Sequence, residues 1–291
     1  MKRMTKLLSA IAATSLSTAA FAVPINTNIV SVVDESGSMN TEHAWIGGMI
    51  EDLDSKLQAE AGSDSFNAEY GLTGFGASSV SGHKHTVGGG DFGTASEFDT
   101  ATSSLTLSGV TEDGWQALDF AMKNYNYTSG ALANFILVTD EDRDNTDGSL
   151  SYSSVLNDLK SMGALLNAVV NVTFKCGDGT QALGMDSDGN GYVADGSGGF
   201  TSCNGATAFN NYGGGSSISD YVDLALATGG AAWDLNQLRT NDNNLSASFT
   251  AAFTDIKVQE TVDNTPTVPE PSTLALLGLG LAGLGLRKRS A

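Results

Sequence analysis

The chain has 291 residues, of which 33 are acidic and 14 are basic, so its formal net charge is −19. A protein this acidic does not bind nucleic acid or anionic lipid through its general electrostatic field, whereas divalent cations accumulate near it. No proline-rich or low-complexity break interrupts the central part of about 245 residues, which favours one large domain.

The N-terminus has the pattern of a cleaved secretory signal. Three basic residues fall within the first six positions, and the apolar stretch Leu7–Phe21 follows them. The stretch ends in Ala20–Ala22, which is the small-x-small pattern of a cleavage site. We therefore predict a signal peptide over residues 1–22. An N-terminal membrane anchor is the alternative, but the apolar run is short for one.

The central chain alternates between strand and helix patterns. The largely apolar run Asn28–Val33 is typical of a strand buried on both faces. Apolar residues at helical spacing follow over 41–61. Alternation of this kind predicts a doubly wound α/β fold, a mainly parallel sheet with helices on both faces. The other predicted elements are strands at 66–75 and 84–87, a helix at 112–125, a strand at 134–139, a helix at 150–162, a strand at 164–174, a helix at 218–227, a strand at 231–235 and a helix at 245–258.

Acidic and hydroxyl side chains follow the first predicted strand. Asp34, Ser36 and Ser38 form a D-x-S-x-S pattern with Gly37 in the turn. In open α/β sheets, ligands bind beyond the carboxyl ends of the strands. Carboxylate and hydroxyl oxygens suit a hard cation such as Mg²⁺. Ser and Asp also cap helices well, so this pattern alone leaves a purely structural role open.

Two further segments place oxygen ligands at the same predicted edge. The strand at 134–139 runs into Asp140, and Thr111 lies just before a predicted helix. In this order, and with the surrounding alternation, the chain resembles von Willebrand factor type A (VWA) domains and their metal-ion-dependent adhesion site (MIDAS). The resemblance covers residues 23–262. It implies a site for Mg²⁺, or for Mn²⁺ or Ca²⁺, whose ligands are Asp34, Ser36, Ser38, Thr111 and Asp140.

The segment around Thr111 departs from the family pattern. Glu112 and Asp113 stand where many members carry small polar residues, so either acid could replace or assist Thr111. The family's metal keeps one coordination position for a carboxylate of the partner. Two protein carboxylates neutralise such an ion only in part, so it still attracts an external anionic oxygen.

Cys176 and Cys203 are the only cysteines, and in an exported protein we predict that they form a disulfide. They close most of a predicted insertion at residues 175–206. Within it, Asp186, Asp188 and Asn190 match the first half of a calcium loop, but Ser197 stands where the closing glutamate belongs. A plain hairpin is therefore favoured over a secondary calcium site.

His83 and His85 could form half of a transition-metal site. Because the sequence places no third histidine or cysteine nearby, an exposed hairpin tip is the favoured interpretation. No G-x-S-x-G nucleophile pattern is present, and no general base accompanies the predicted metal site in a recognised arrangement. The chain is therefore predicted not to be an enzyme.

The C-terminus carries a Pro-Glu-Pro motif at 269–271, an apolar run over 274–286 and then the basic residues Arg287–Arg289. A helix over 272–286 would span only about 22 Å, less than the roughly 30 Å of a hydrocarbon core. The arrangement resembles the PEP-CTERM sorting signal of Gram-negative bacteria, although a simple membrane tail is the alternative. We predict a linker and motif at 263–271 and a short hydrophobic helix with a basic tail at 272–291.

These observations lead to one main functional hypothesis. The PEP-CTERM resemblance implies processing by an exosortase, a transient membrane association of the C-terminal helix, and a final location in the cell envelope, on the outer surface or in an extracellular matrix. The MIDAS resemblance implies a metal-dependent adhesion protein that captures an acidic group of a protein or polysaccharide. The alternative is a structural matrix protein whose metal only stabilises the fold. Nucleic acid is not a predicted partner.

Overall fold

The computed structural model describes residues 25–61, 66–77, 79–211 and 215–265. The predicted signal peptide, the Pro-Glu-Pro motif and the C-terminal hydrophobic helix lie outside these described residues.

The described residues form strands and helices in the alternating order that the sequence predicts. The strands are β1 (Ile25–Asp34), β2 (Phe66–Phe75), β3 (His83–His85), β4 (Leu132–Thr139), β5 (Leu165–Val170), β6 (Val172–Lys175), β7 (Gln181–Ala182), β8 (Gly184–Met185), β9 (Asn190–Ala194), β10 (Phe200–Asn204), β11 (Thr207–Asn211) and β12 (Ala232–Asp234). The α-helices are α1 (Asn40–Ala61), α2 (Ala95–Thr102), α3 (Gly114–Asn124), α4 (Tyr152–Ser161), α5 (Asp223–Ala227) and α6 (Asn243–Asn264). A π-helical turn, Ile218–Val222, leads into α5, and a 3₁₀ turn, Leu235–Leu238, follows β12.

The main sheet has the strand order β10-β9-β8-β12-β5-β4-β1-β2-β3. Its centre is parallel: β1 pairs with β2 and β4, and β5 pairs with β4 and β12. The outer strands β3, β8, β9 and β10 pair antiparallel. A separate small sheet has the order β11-β6-β7. Because the central strands are parallel, their carboxyl ends meet at one edge of the sheet.

Helices cover both faces of this sheet, which confirms the predicted doubly wound α/β fold. Alternate residues of β1 point to opposite sides, so Ile29 and Val33 join one apolar core while Val30 and Val32 join the other. The first core packs against α1, α2 and α6, and the second against α3, α4 and α5. Burial on both faces explains why β1 is apolar almost throughout.

Outside residues 175–211, three elements differ markedly from the sequence prediction. The strand predicted at 164–174 divides into β5 and β6 at Asn171, and β6 joins the small sheet. Helix α2 was not predicted, because only three of its residues are buried and its start depends on a capping box between Thr94 and Glu97. Helix α6 continues six residues past the predicted end, Val258.

The C-terminal part of α6 buries polar groups in place of apolar ones. The ammonium of Lys257 is fully buried and donates to Oδ1 of Asn134 at 2.7 Å. Asn167 donates to the carboxylate of Glu260 at 2.6 Å. These partners lie on β4 and β5, so the helix is held by contacts that its own apolar periodicity does not reveal.

The insertion closed by the Cys176–Cys203 disulfide extends the main sheet. The disulfide is present as predicted. Strands β8, β9 and β10 lie inside the closed loop, and β8 pairs with β12 of the central sheet. Residues 186–189 form the turn between β8 and β9, in which Oδ1 of Asp186 accepts the backbone N–H groups of Asp188 and Asn190.

Replacing both Cys176 and Cys203 with alanine is expected to lower the free energy of unfolding by about 3.5 kcal/mol. The two cysteines are 27 positions apart, and a cross-link closing a loop of that length restricts the unfolded chain by about this amount. Denaturant titration of the variant beside the unmodified oxidised chain measures the difference. An unchanged midpoint would show that the insertion is held by its strand pairing alone.

Candidate metal site

Three loops meet at the carboxyl edge of the sheet. The first follows β1 at Asp34, and the second follows β4 at Thr139. Val33 and Val138 are paired in register, so these two strand ends are direct neighbours. The third loop leads into α3 through Thr111 and Glu112. This arrangement brings the predicted ligand segments to one place in the fold.

Four of the five predicted ligands form one hydrogen-bonded group. The buried carboxylate of Asp34 accepts the backbone N–H of Ser36 at 2.7 Å and the hydroxyl of Thr139 at 2.8 Å. The hydroxyls of Ser36 and Ser38 lie 3.0 Å apart. Ser38 then donates to Oδ1 of Asp140 at 2.9 Å. Helix α1 begins only at Asn40, so these side chains bond across the two loops instead of capping it.

The backbone of Thr111 lies next to Gly76, which directly follows β2. Gly76 has a φ of +89°, a conformation that residues with a side chain rarely adopt. A Cβ placed there would lie 3.3 Å from Oδ1 of Asp34, 3.3 Å from Cγ of Glu112 and 3.6 Å from the carbonyl oxygen of Thr111. Glycine at this position therefore allows the loop of Thr111 and Glu112 to approach Asp34.

Glu112 adds a third carboxyl group to this edge. It is 4% exposed. Burial, followed by the negative charges of Asp34 and Asp144, raises the pKa of Glu112 to about 7. Burial is also the main reason that the pKa of Asp34 rises to about 6, although hydrogen bonds from Ser36 and Thr139 oppose it. The site therefore holds more buried negative charge than its own hydrogen bonds offset, a condition that a bound cation relieves.

Asp113, the other acid that could replace Thr111, is a structural residue. Its Oδ1 accepts the backbone N–H groups at the start of α3 and the Nε of Arg143 at 2.8 Å. Its Oδ2 accepts the N–H and hydroxyl of Thr146. Both oxygens are engaged by these donors, whereas Glu112 lies near Asp34 and is the better placed of the two acids to assist Thr111.

Arg239 is a site residue that the sequence analysis did not identify. Its Nη2 lies 2.8 Å from Oδ2 of Asp140 and 3.2 Å from the carbonyl oxygen of Ser38. Its Nε lies 2.7 Å from the fully buried carboxylate of Glu42 on α1. Arg239 follows the 3₁₀ turn after β12, and no local pattern marks it, because the contact depends on how three distant segments pack.

The donor set fits a hard divalent cation. Asp34, Ser36, Ser38, Asp140 and Glu112 offer carboxylate and hydroxyl oxygens, without nitrogen or sulfur. Such oxygens suit Mg²⁺, Mn²⁺ or Ca²⁺. Arg239 supplies a positive charge next to Asp140, so a metal bound by Asp140 would compete with the guanidinium for the same carboxylate.

Replacing Arg239 with glutamine is expected to raise the Mg²⁺ affinity about tenfold, because the variant frees Oδ2 of Asp140 and removes a nearby cation. A tenfold change corresponds to about 1.4 kcal/mol, which lies between the values typical of exposed and of buried ion pairs. Calorimetric titration of Mg²⁺ measures it. Arg239→Lys keeps the charge and serves as the control. Equal affinities in both variants and the unmodified chain would show that Arg239 does not compete with the metal.

The possible secondary calcium loop is a hairpin turn in the structure. Oδ2 of Asp186 accepts from Nδ2 of Asn190 at 2.8 Å and from the hydroxyl of Tyr192 at 2.6 Å. With Oδ1 bonded to the turn N–H groups, Asp186 is committed to closing the turn. Asp188 is exposed. The arrangement agrees with the hairpin that the sequence favoured.

His83 and His85 do not form an exposed hairpin tip. The side chain of His85 is 9% exposed and that of His83 is 28% exposed. Both rings lie against the buried carboxylate of Glu35. The sequence interpretation considered only histidine and cysteine as a third group, and it overlooked an acid 48 positions earlier in the chain than His83.

A family model of the PEP-CTERM protein-sorting motif matches residues 267–290. This match confirms the predicted sorting signal and indicates an exported protein that is processed at the cell envelope. No curated protein sequence matches the chain. Within the described residues, every helix is too short or too polar to cross a membrane.

Among solved structures, the chain is similar to proximal thread matrix protein 1 from the mussel byssus, in a structure with a zinc-occupied MIDAS motif. The sequence identity is 17% and the TM-score is 0.38, over 50% of this chain and 36% of the mussel chain. It is similar to a von Willebrand factor type A protein from Catenulispora acidiphila, at 15% identity and a TM-score of 0.36, over 50% and 33% of the two chains. An aerotolerance-related membrane protein from Bacteroides fragilis matches at 12% identity and a TM-score of 0.40, over 81% and 98%. The matched region thus spans about a third of the mussel and Catenulispora chains.

Proposed function

We propose that this exported protein binds a divalent metal at the carboxyl edge of its sheet and uses it to capture an acidic group of a surface protein or polysaccharide. The observation that carries the proposal is the hydrogen-bonded group of Asp34, Ser36, Ser38 and Asp140, which joins two loops at the place where α/β folds bind ligands. Ser38 and Gly37 are exposed, so the group opens to solvent at one end.

The charge of the chain explains why the metal matters for an acidic partner. Residues 23–268 contain 32 acidic and 8 basic residues, so the surface repels anions on average. A divalent ion at the site reverses the local charge and leaves a position for an external carboxylate or sulfate oxygen. Mg²⁺ is the proposed ion, with Mn²⁺ or Ca²⁺ as substitutes that the same oxygens accept.

The first experiment titrates Mg²⁺ into the metal-stripped chain by calorimetry, beside Asp34→Asn. The second measures binding of the loaded chain to an immobilised acidic polysaccharide, with alginate as the probe, and then adds a chelator. Saturable Mg²⁺ binding that is lost in the variant, with alginate retention that is lost on chelation, supports the proposal. Retention of alginate in the presence of chelator contradicts it.

A second candidate is a structural matrix protein in which the metal only stabilises the fold. Arg239 favours it, because the guanidinium already contacts Asp140 and the carbonyl of Ser38 and covers one side of the group. Under this candidate, Mg²⁺ raises the unfolding midpoint but alginate does not bind in any metal state. Comparing the two readouts on the same sample separates the candidates.

The two ends of the chain serve export and sorting in this proposal. Residues 1–22 serve as the export signal, 23–262 as the binding domain and 263–291 as the linker and sorting segment. An exosortase processes this last segment, and its hydrophobic helix holds the protein at the membrane until then. We propose no catalytic role and no nucleic-acid partner, since the chain is acidic and presents no general base beside the metal group in a recognised catalytic arrangement.

A further inference from the structure

Glu35, His83 and His85 form a cluster beside the metal group described above. Nε2 of His83 lies 3.1 Å from Oε2 of Glu35, and Nε2 of His85 lies 3.1 Å from Oε1. One ligand atom from each residue lies within 4.8 Å of the other two. Glu35 is fully buried, while His83 is partly open to solvent. An ion could therefore enter past His83 and meet all three side chains.

The strand pairing fixes this cluster. Strand β3 is antiparallel to β2, with His83 opposite Gly74 and His85 opposite Leu72. Residues two apart on a strand share a face, so both imidazoles lie on the side of Glu35. A Cβ at Gly74 would collide with the Glu35 carboxylate and lie 2.6 Å from Nε2 of His85. The glycine therefore leaves the space in which the three groups converge.

The hydrogen bonds of Ser104 determine where His85 carries a proton. The Ser104 hydroxyl lies 2.6 Å from the carbonyl oxygen of Ala101, which can only accept, so the hydroxyl proton points there. The same oxygen lies 2.6 Å from Nδ1 of His85 and must accept from it. In the neutral ring, Nε2 then presents a lone pair to the Glu35 carboxylate. Nε2 of His85 and Oε1 of Glu35 are then two hydrogen-bond acceptors only 3.1 Å apart. Because two acceptors repel each other, a cation must lie between them, either a second proton or a metal.

We propose that Glu35, His83 and His85 bind a transition-metal ion, and that Zn²⁺ is the ion this ligand set suits best. Two imidazoles and one carboxylate are a frequent protein ligand set for zinc, with a fourth position left open. Zinc–ligand distances of about 2.0–2.1 Å place the ligand atoms of a tetrahedral site roughly 3.3 Å apart. Each imidazole nitrogen lies 3.1 Å from its nearer carboxylate oxygen, and the three ligand atoms lie within 4.8 Å of one another, so a small approach of the side chains completes the site. The contact from Ser104 orients His85 as outer partners of zinc ligands do.

This site is separate from the oxygen-lined group, although Glu35 stands between Asp34 and Ser36 in the chain. Its nitrogen ligands select against Mg²⁺, while the group of Asp34 and Asp140 offers only oxygens. The experiment therefore titrates Zn²⁺ into the full chain, purified without a histidine tag, with millimolar Mg²⁺ present. Calorimetry gives the stoichiometry, and the visible absorption of Co²⁺ in place of Zn²⁺ reports tetrahedral nitrogen and oxygen ligation.

We expect one Zn²⁺ per chain. Loss of an outer partner of a zinc ligand costs about 10- to 100-fold in affinity. His83→Gln and His85→Gln each remove a direct ligand, so each should weaken Zn²⁺ binding by more than this. Ser104→Ala removes only an outer partner and should weaken Zn²⁺ binding about tenfold. Lys84→Gln is the matched control, because Lys84 points to the opposite face of β3, where it pairs with Asp91. Asp34→Asn should also keep the Zn²⁺.

Three results would overturn the proposal. Zn²⁺ binding that survives in both histidine variants would place the ion elsewhere. Zn²⁺ binding that is lost in Asp34→Asn would assign it to the oxygen-lined group. Absence of saturable Zn²⁺ binding to the unmodified chain would show that a proton, and therefore an ion pair between His85 and Glu35, fills the gap. His83 is partly exposed, so its variant is expected to fold, and its denaturation midpoint checks this.

Discussion

Replacing Asp34 with asparagine is expected to weaken Mg²⁺ binding at least about 100-fold and, in the absence of metal, to stabilise the protein. The first effect follows because a direct carboxylate ligand is lost. The second follows because asparagine resembles the protonated acid, which the buried site prefers. The difference between a pKa of about 6 and the ordinary 3.8 corresponds to about 3 kcal/mol at neutral pH, the upper limit of the expected gain.

The pH dependence of this gain has a definite sign. The folded state holds the Asp34 proton more tightly than the unfolded chain, so the stability contributed by this group is complete below about pH 4 and is lost as the pH rises through about 6. The advantage of Asp34→Asn should therefore be full at pH 7 and vanish near pH 4. Denaturant titrations at both values, without metal, measure it.

The control for this prediction is Asp188→Asn, which removes one negative charge from an exposed hairpin residue. It should change neither Mg²⁺ binding nor stability by more than about 0.5 kcal/mol. If Asp34→Asn instead lowers the stability of the metal-free protein, then the hydrogen bonds from Ser36 and Thr139 outweigh the cost of burying the charge.

Replacing Asp113 with alanine is expected to lower the free energy of unfolding by about 4 kcal/mol while leaving the Mg²⁺ affinity of the folded protein unchanged. The substitution removes the cap of α3 and leaves the guanidinium of Arg143, 6% exposed, without its carboxylate. Loss of one partner of a buried ion pair costs about 3–5 kcal/mol. Denaturant unfolding and Mg²⁺ calorimetry on the same preparation test both parts.

A double-mutant cycle with Arg143→Ala isolates the ion pair. The two single variants should each be strongly destabilised, and the double variant should be less unstable than the sum of the two losses predicts. Arg143 also stacks over the ring of Trp115 at 4.2 Å. Both variants that carry Arg143→Ala lose this contact, so it cancels from the coupling energy. Purely additive losses would show that Asp113 stabilises the fold through the cap of α3 and its bonds to Thr146 and not through the ion pair.

The contrast between Asp34 and Asp113 shows what the sequence could and could not predict. Both acids follow a pattern that fits metal binding, and the parallel strands correctly place Asp34 next to Asp140. The role of Asp113 depends on Arg143 and Thr146, which lie in a loop about 30 positions later. A pattern of residue types indicates which side chains can bind a cation. It does not indicate which of these side chains are already hydrogen-bonded to residues elsewhere in the protein.

The same limit applies to two side-chain contacts that the sequence analysis missed. Arg239 meets Asp140 across 99 positions, and His85 meets Glu35 across 50. Each contact requires the strand order and the register of the neighbouring strands, which apolar periodicity does not specify. The disulfide was easier to predict because two cysteines allow only one pairing.

The disulfide-closed insertion also determines how the sheet ends. Without it, β12 would be the outermost strand and would present unpaired backbone groups to other chains, a common start of aggregation. The insertion instead adds β8, β9 and β10 beyond β12, and the outer strand β10 carries exposed Thr201 and Ser202. For a protein that is exported and processed at the envelope, the insertion thus moves the edge of the sheet from the fully buried strand β12 to the mostly exposed strand β10, which offers less apolar surface to a neighbouring copy.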